Sequence, residues 1–437
     1  MRLTGKALLM VFVILLAASI AGIWLFKVKP ITAAWNGTVY IHPDGTIDPP
    51  NAPIATTDNV IYTLMDNITS PGHGIVVEKD DIVLDGAGHT VSGSNALGTY
   101  GVKLTGRSNV TVKNMAISDF YVGIRIYSSL SISVFNCSAV SGHTGVSLFN
   151  SSQSNVTYNA LTSNLFGVQL SSNSDNNNIF YNNITGNIQV GVLIYSECNG
   201  NTINGNNLMD NGQNSVKIIG SSPHNRFYHN VFGNPVEITT NALNYWDNGY
   251  PGGGNYWSNY TGVDLKSGPY QNETGSDGIG DTAYTINGSN VDQYPFIAPV
   301  TVFDAGVWDG TYYTVKVISN STVGGFYFNP AYAEITFSVS GQLKSVGFCR
   351  VIIPKELLWA EPDSWTVHRM FGGNLPYTTS TDQDNTYLYF TYYFNEWISF
   401  DYIQITGTNV IPEFPTKLAL AMLLTVTIII AAIRNKK

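Results

Sequence analysis

A short apolar motif returns at nearly constant spacing through the first half of this 437-residue chain. Gly101-Val-Lys-Leu, Gly123-Ile-Arg-Ile, Gly145-Val-Ser-Leu, Gly167-Val-Gln-Leu and Gly191-Val-Leu-Ile follow one another every 22 to 24 residues. Ser215-Val-Lys-Ile and Pro235-Val-Glu-Ile continue the series, and Gly74-Ile-Val-Val precedes it. A fixed period of this kind is the signature of a repeat architecture, and it constrains the fold more than composition does. Within each copy two aliphatic residues flank an outward one: Val102 and Leu104 around Lys103, Ile124 and Ile126 around Arg125, Val146 and Leu148 around Ser147. A period of two predicts a half-buried strand. The Gly, Asn, Ser and Thr that fill the windows exclude helix.

A unit this short cannot enclose a core. Stacked at about 4.8 Å per rung, equivalent residues of successive units enclose one together. The predicted inward stacks are Val102, Ile124, Val146, Val168, Val192, Val216 and Leu104, Ile126, Leu148, Leu170, Ile194, Ile218. Asn114, Asn136, Asn159, Asn183, Asn207 and Asn230 recur at the same spacing and predict a structural ladder of stacked amides. Such a ladder pairs groups whose unpaired burial costs roughly 2 kcal/mol or more each. The following residues, Met115, Cys137, Ala160, Ile184, Leu208 and Val231, form a further inward column, which makes Cys137 a buried thiol. Asn136 and Asn183 also begin Asn-x-Ser/Thr matches, and a place in the ladder would leave them without glycan. The Leu-x-x-Leu-x-Leu pattern of a leucine-rich solenoid is absent.

Only 12% of the residues are charged, about half the usual share, so amides and hydroxyls keep the surface wet, as in exported β-rich proteins. A net charge of −9 without a basic patch excludes nucleic acid as a partner. Cys137, Cys198 and Cys349 are odd in number and lack Cys-x-x-Cys spacing, which excludes a zinc site. Arg2 and Lys6 precede an apolar run from Ala7 to Phe26, the pattern of a signal peptide or signal anchor, with small residues for cleavage after Ala34. Leu418 to Ile433 is apolar and is followed by Arg434, Lys436 and Lys437. A cationic tail after a span stays cytoplasmic, so the bulk of the chain is expected outside a cell membrane. Sequons at Asn36, Asn67, Asn109, Asn155, Asn259, Asn272, Asn287 and Asn320 agree with that placement.

The repeats resemble the NosD-type right-handed parallel β-helix family, which groups periplasmic proteins with carbohydrate-binding and sugar-hydrolase β-helix repeats. Gly74-Ile-Val-Val-Glu-Lys-Asp-Asp-Ile-Val-Leu-Asp-Gly-Ala-Gly-His-Thr-Val looks like that family's first full coil. Asn255-Tyr-Trp-Ser-Asn-Tyr-Thr-Gly, Asp277-Gly-Ile-Gly-Asp-Thr-Ala-Tyr and Asp292-Gln-Tyr-Pro-Phe look like its closing segment. The resemblance runs over about residues 38–299. It implies a right-handed single-stranded parallel β-helix, and the residues beyond it complete an all-β reading in which a small antiparallel β-sandwich follows, with hydrophobic helices at both termini. The expected division is 1–34 signal segment, 35–299 β-helix with a capping segment at 240–299, 300–409 sandwich, and 410–437 sorting motif, transmembrane helix and tail. The sandwich rests on short aromatic or β-branched strands at 312–318, 334–339, 346–353, 386–393 and 402–405. Val410-Ile-Pro-Glu-Phe-Pro before the last span resembles the Pro-Glu-Phe sorting tails of archaeal surface proteins, which implies a sortase-like processing partner.

A glycosidase needs two carboxylates about 5 to 9.5 Å apart. The outward rows of the repeat offer no central acidic pair, and Asp80, Asp81 and Asp85 cluster only at the first coil, where turn roles are expected. Gly72-His73-Gly74 is similar to a polygalacturonase motif but lacks the companion Asp pair. Copper, which the resemblance implies, asks for His, Cys and Met, and of the seven histidines only His224 and His229 stand close in sequence. Calcium is the candidate cofactor, through Asp264, Asp277 and Asp281 in a Gly-rich stretch, against the simpler reading of Asp-Gly turns. Tyr127 and Phe149 take equivalent outward places on adjacent rungs, with Tyr195 two rungs on and Lys103 and Arg125 alongside. Exposed aromatics beside polar groups suit sugar rings. Trp246, Tyr256, Trp257 and Tyr260 are expected to cap the last rung. The sequence therefore reads as a surface-anchored β-helix that binds glycans or other surface polymers without catalysis. The alternatives are a polysaccharide hydrolase or lyase, and a NosD-like copper-binding accessory protein.

Overall fold

The computed structural model describes residues 35–239 and 242–410. The two apolar terminal segments, the Pro-Glu-Phe motif and the basic tail lie outside the described residues. Among the described residues no helix is long and apolar enough to cross a membrane.

The first half of the chain winds through three parallel sheets, one strand of each per turn, for roughly eight turns. The first sheet holds the repeat motif: Ile75–Val77, Tyr100–Thr105, Val122–Tyr127, Thr144–Phe149, Phe166–Ser171, Val190–Tyr195, Asn214–Ile219 and Val236–Ile238. The second runs from Ile82–Asp85 through Val110–Lys113, Ser133–Phe135, Asn155–Thr157, Asn178–Phe180 and Thr202–Asn204 to Arg226–Tyr228. The third includes Thr90–Ser92, Ala116–Ser118, Ser138–Val140 and Ala160–Thr162. The first-sheet register pairs Val102 with Ile124, Ile124 with Val146, Val146 with Val168, Val168 with Val192 and Val192 with Val216, as the repeat predicts. The second aliphatic stack, Leu104 to Ile218, is in register too, and both stacks are fully buried.

The repeated glycine has a steric reason. A Cβ on Gly123 would stand 2.6 Å from the carbonyl oxygen of Gly145, and one on Gly145 would stand 2.7 Å from that of Gly167. At this corner of these turns the backbone of one turn lies against the next and leaves no room for a Cβ, whereas the last turns admit Ser215 and Pro235.

The asparagines sort differently from the single ladder expected. Asn159, Asn182, Asn206, Asn230 and Asn255 form one buried column. From Asn182 on, each side-chain oxygen accepts from both the backbone amide and Nδ2 of the asparagine one turn earlier, at 2.9–3.1 Å, while that of Asn159 accepts from the Cys137 amide at 2.8 Å. The other Nδ2 proton turns back to a carbonyl of the preceding turns, as from Asn206 to Ile179 at 2.7 Å. A second column, Asn177, Asn201, Asn225 and Asn244, repeats this geometry, and Asn164, Asn187 and Asn211 form a third. Of the six residues expected, Asn159 and Asn230 stand in the first column. Asn183 and Asn207 come one position later, on the exterior, bonded to each other at 2.9 Å. Asn114 and Asn136 come one position earlier, with φ of 54° and 50°, and are joined at 2.8 Å. Tyr158, Tyr181, Gly205 and His229 continue that left-handed column. It is a turn position that asparagine tolerates because its short amide bonds locally. Asn136 and Asn183 are exposed, so the structural reason for their lacking glycan falls away. The column expected after the asparagines likewise divides: Met115 and Cys137 share the ladder position, while Ile184 and Leu208 point into the core two positions further on.

The last amide of the first column needs an acceptor that asks for no donor beyond it. Asp292 supplies one: its Oδ2 accepts from the Asn255 amide at 2.8 Å and from the Trp257 indole at 2.8 Å. Phe227 stacks on Trp246 at 4.2 Å, and Phe232 lies 4.6 Å from Trp257, so aromatic rings close the end of the core as expected of the capping segment.

From Val300 the chain forms two five-stranded antiparallel sheets. The first consists of Val300–Trp308, Thr311–Ser319, Ser345–Pro354, Asn385–Phe394 and Tyr377–Thr381. The second consists of Thr322–Asn329, Glu334–Ser340, Phe400–Thr406, Thr366–Arg369 and Gly373–Asn374. They share a core that includes Val317, Phe337, Val351, Phe390 and Ile403. This unit is seated against the later half of the β-helix, from the turn of Tyr158 to that of His229. Tyr312 meets Tyr158 edge-on at 4.9 Å, and Lys316 Nζ lies 3.0 Å from His229 Nδ1. Arg350 is buried and donates to the carbonyls of Asp277 and Pro251.

Asn206→Ala removes the acceptor of two Asn182 donors and the donor to the Ile179 carbonyl. Three orphaned buried groups at about 1 kcal/mol or more each predict a loss of at least ~3 kcal/mol in denaturant unfolding, against less than ~1 kcal/mol for Asn207→Ala on the exterior. Burial pushes the Asp292 carboxyl from its ordinary 3.8 up to about 7, against the Trp257 and Asn255 donors that lower it. A raised folded pKa gives a contribution that is complete below about 4 and lost as pH rises through about 7. The fall in thermal midpoint across that window should therefore be shallower in Asp292→Asn.

Candidate functional site

The outer face of the first sheet presents two rows of side chains in register. One runs Lys103, Arg125, Ser147, Gln169, Leu193, Lys217, Glu237. The other runs Thr105, Tyr127, Phe149, Ser171, Tyr195, Ile219. Strand alternation sends these outward because their neighbours fill the core.

Tyr127 and Phe149 stack one turn apart, ring centroids 5.0 Å apart and planes within 10°. Tyr127 is 39% exposed. The Arg125 guanidinium lies 5.4 Å from the Tyr127 centroid and 5.3 Å from that of Phe149, and its Nη1 donates to Ser147 Oγ at 2.6 Å. The structure thus brings Arg125, Tyr127 and Phe149 into one rigid platform. Lys103 stands one turn below Arg125, in direct register, with its ammonium 6.0 Å from the Tyr100 ring. Tyr195 is not part of the platform. The buried Ser171 separates it from Phe149, and its hydroxyl accepts from Gln169 Nε2 at 2.7 Å.

Beside Lys103 the face hollows into a groove of about 650 Å³ lined by Pro43, Val76, Glu78, Lys103, Thr105 and Arg107. Sequence reasoning missed this groove. Pro43 arrives from the lead-in segment and carries no periodic signal.

Glu237 lies seven turns from the Glu78 end of the sheet, roughly 34 Å at ~4.8 Å per turn. Glu237 pairs with Lys217 at 2.9 Å, and Glu78 with His42 at 2.8 Å. These two carboxylates therefore cannot share one glycosidic bond. At the first coil Asp80 accepts from the Ser108 amide at 2.9 Å, Asp81 from Asn109 at 2.8 Å, and Asp85 from the Ala87 amide at 2.9 Å. These are the turn roles expected of them. His73 stacks on Tyr100 at 4.9 Å, and burial lowers its pKa.

The candidate calcium residues share a loop, and each carboxylate is engaged by protein groups. Asp264 accepts from the amides of Asp277 at 3.0 Å and Gly278 at 2.8 Å. Asp281 accepts from Leu265 and Lys266, both at 3.0 Å, and Asp277 from Ile279 at 3.0 Å. Burial pushes Asp264 up to about 7. The arrangement pins the capping loop with backbone amides. Among the described residues no group of three or more His, Cys, Asp or Glu side chains is placed to hold a metal ion.

Copper fits no better. Burial pushes the thiols of Cys137 and Cys349 up to about 12 and that of Cys198 to about 11, so all three are protonated. His224 stacks on Tyr245 at 6.3 Å. His229 donates from Nε2 to the Gly252 carbonyl at 2.8 Å and faces Lys316 with Nδ1, and burial, with Lys316 adding to it, holds its pKa well below the usual 6.5.

Residues 51–262, a little under half of the chain, match the family described as periplasmic copper-binding protein (NosD). No curated protein matches the chain. Among solved structures, the periplasmic alginate epimerase AlgG aligns with a TM-score of 0.28 at 12% identity, over 49% of this chain and 70% of that one. ORF18 of Geobacillus virus E2 aligns at 0.34 and 11% identity, over 81% and 66%. The Dettilon tailspike protein aligns at 0.27 and 13% identity, over 84% and 94%. The chain carries a parallel β-helix, and the segment 51–262 within it is similar to NosD proteins.

Because Asp264, Asp277 and Asp281 are held by amides, addition of a chelator should leave the thermal midpoint unchanged. A fall of several degrees, restored by Ca²⁺, would assign the loop to calcium instead.

Proposed function

We propose that the protein is a cell-surface β-helix, held by its C-terminal apolar segment, that binds polysaccharide along the outer face of its first sheet without cleaving it. The observation that carries this reading is the Tyr127–Phe149 stack with Arg125 laid against both rings. Two rings stacked on each other on consecutive turns form an apolar ridge whose edges and outer faces are open to the C–H faces of sugar rings. Ser147 fixes the guanidinium beside them, which places polar donors at the edge of that ridge. The solenoid backbone makes the platform rigid, so little ordering cost falls on the protein when a chain settles on it. Export, membrane anchoring and sorting through the Pro-Glu-Phe tail belong to the same proposal, and rest on the sequence of the two ends.

The full-length chain, solubilised where needed, is incubated with a panel of polysaccharides while retention and chain length are followed together. The expected result is retention without shortening, lost in Tyr127→Ala/Phe149→Ala by about tenfold or more, as removal of two stacking rings implies. Both side chains point away from the core, so the variant keeps its circular dichroism spectrum. Shortening of the polymer would make the protein a hydrolase or lyase, and retention unaffected by the double variant would move the site elsewhere.

A further inference from the structure

Lys103 and Arg125 are paired in register on adjacent strands, so two cations project from the same face one turn, about 4.8 Å, apart. Like charges placed directly opposite in a sheet repel. Among the described residues neither has a carboxylate at ion-pair distance. Three other cations of the solenoid are matched: Arg107 with Asp80 at 3.4 Å, Lys113 with Asp85 at 3.1 Å, and Lys217 with Glu237 at 2.9 Å; among the described residues the isolated Lys79 and Arg226 are not. Carboxylates are not scarce in a chain of net charge −9, yet this face sets two unpaired cations side by side in register. The nearby acids are already engaged, Glu78 by His42 and Asp80 by Arg107.

The pair also sits where a ligand would lie. Lys103 lines the groove, and Arg125 forms the edge of the aromatic ridge. Thr105, on the groove wall, is in register with Tyr127, so groove and ridge are continuous. The Arg125 guanidinium uses Nη1 on Ser147 and bonds to no described residue through Nε or Nη2. Those donors remain in the planar fork that fits a two-oxygen anion.

We propose that the polymer held on this face is anionic, with one carboxylate or sulfate group seated between Lys103 and Arg125 while the adjoining sugar rests on Tyr127 and Phe149. The proposal rests on the polysaccharide reading above and names its substrate class. An oxyanion between the cations turns a repulsive pair into two charge-assisted contacts. A neutral sugar leaves the repulsion in place.

The test measures affinity of the full-length chain for polygalacturonate, dextran sulfate and amylose, at low and high salt. At least one acidic polymer should bind about tenfold or more tighter than amylose, and salt should weaken that binding. Lys103→Gln/Arg125→Gln should bring it down to the level of amylose, while Lys103→Arg keeps it. Whether polygalacturonate or dextran sulfate is preferred assigns the anion as carboxylate or sulfate. If amylose binds as tightly as both acidic polymers, or the double Gln variant binds them unchanged, the anionic assignment is wrong although the binding face stands. If no polymer is retained at all, both readings fall. Unchanged circular dichroism and thermal midpoint of the Gln variants confirm that any loss is not unfolding.

Discussion

The buried amide ladder is the interaction on which the rest of the solenoid depends. Each ladder asparagine of the first column offers two protons and one oxygen, and neighbours above and below use them all. In a dry interior an unmatched amide costs more than a matched one contributes, so the columns admit little partial occupancy. They also lock the register. A slip by one residue would take an amide out of the column and an aliphatic residue out of the core together. The ladder runs in one direction, every side-chain oxygen accepting from the turn before, and it needs a terminus that only accepts. The Asp292 carboxylate, from a segment that closes the core with Trp246 and Trp257, serves as that terminus.

A solenoid fixed in this way is a ruler. Its outward rows repeat at the strand spacing, so chemistry placed on adjacent turns is held at a known separation. That is why Tyr127 and Phe149 stack, and why Lys103 and Arg125 stand side by side at the cost of repulsion. The surface chemistry is local to the early turns. Further along the same rows Lys217 and Glu237 neutralise each other, and Tyr195 is tied to Gln169. The two-sheet unit is seated along a different corner, against Tyr158, Tyr181, Gly205 and His229, from the turn that carries Phe149 onward. That left-handed column loses its asparagines where the strand around Lys316 covers it.

Much of the fold was legible because it is periodic. The aliphatic stacks, the glycine corner and the outward rows all follow from a repeat of 22 to 24 residues, and a period is visible without knowing any contact. The asparagine columns show the limit. In the later turns two adjacent asparagines occur, Asn182 and Asn183, Asn206 and Asn207, and spacing alone cannot tell which of each pair faces in. The backbone decides, because the position before the ladder takes a positive φ and turns the chain by one residue. In the second unit the strands with dense aromatic or β-branched residues were visible. Val300–Trp308, Thr322–Asn329, Thr366–Arg369 and Tyr377–Thr381 were not, since their pairing is set by partners distant in sequence.

By itself the sequence determined that this chain stacks repeated strands, which residues form its two aliphatic stacks, and which side chains share its outer face. Those properties depend on alternation and period, which are local. Tertiary structure alone decided which asparagines are buried, that the candidate calcium carboxylates are held by amides, and that Pro43 and Val76 make a groove beside Lys103. Each of these depends on segments brought together from different turns, and the distance between them is written nowhere in the local pattern.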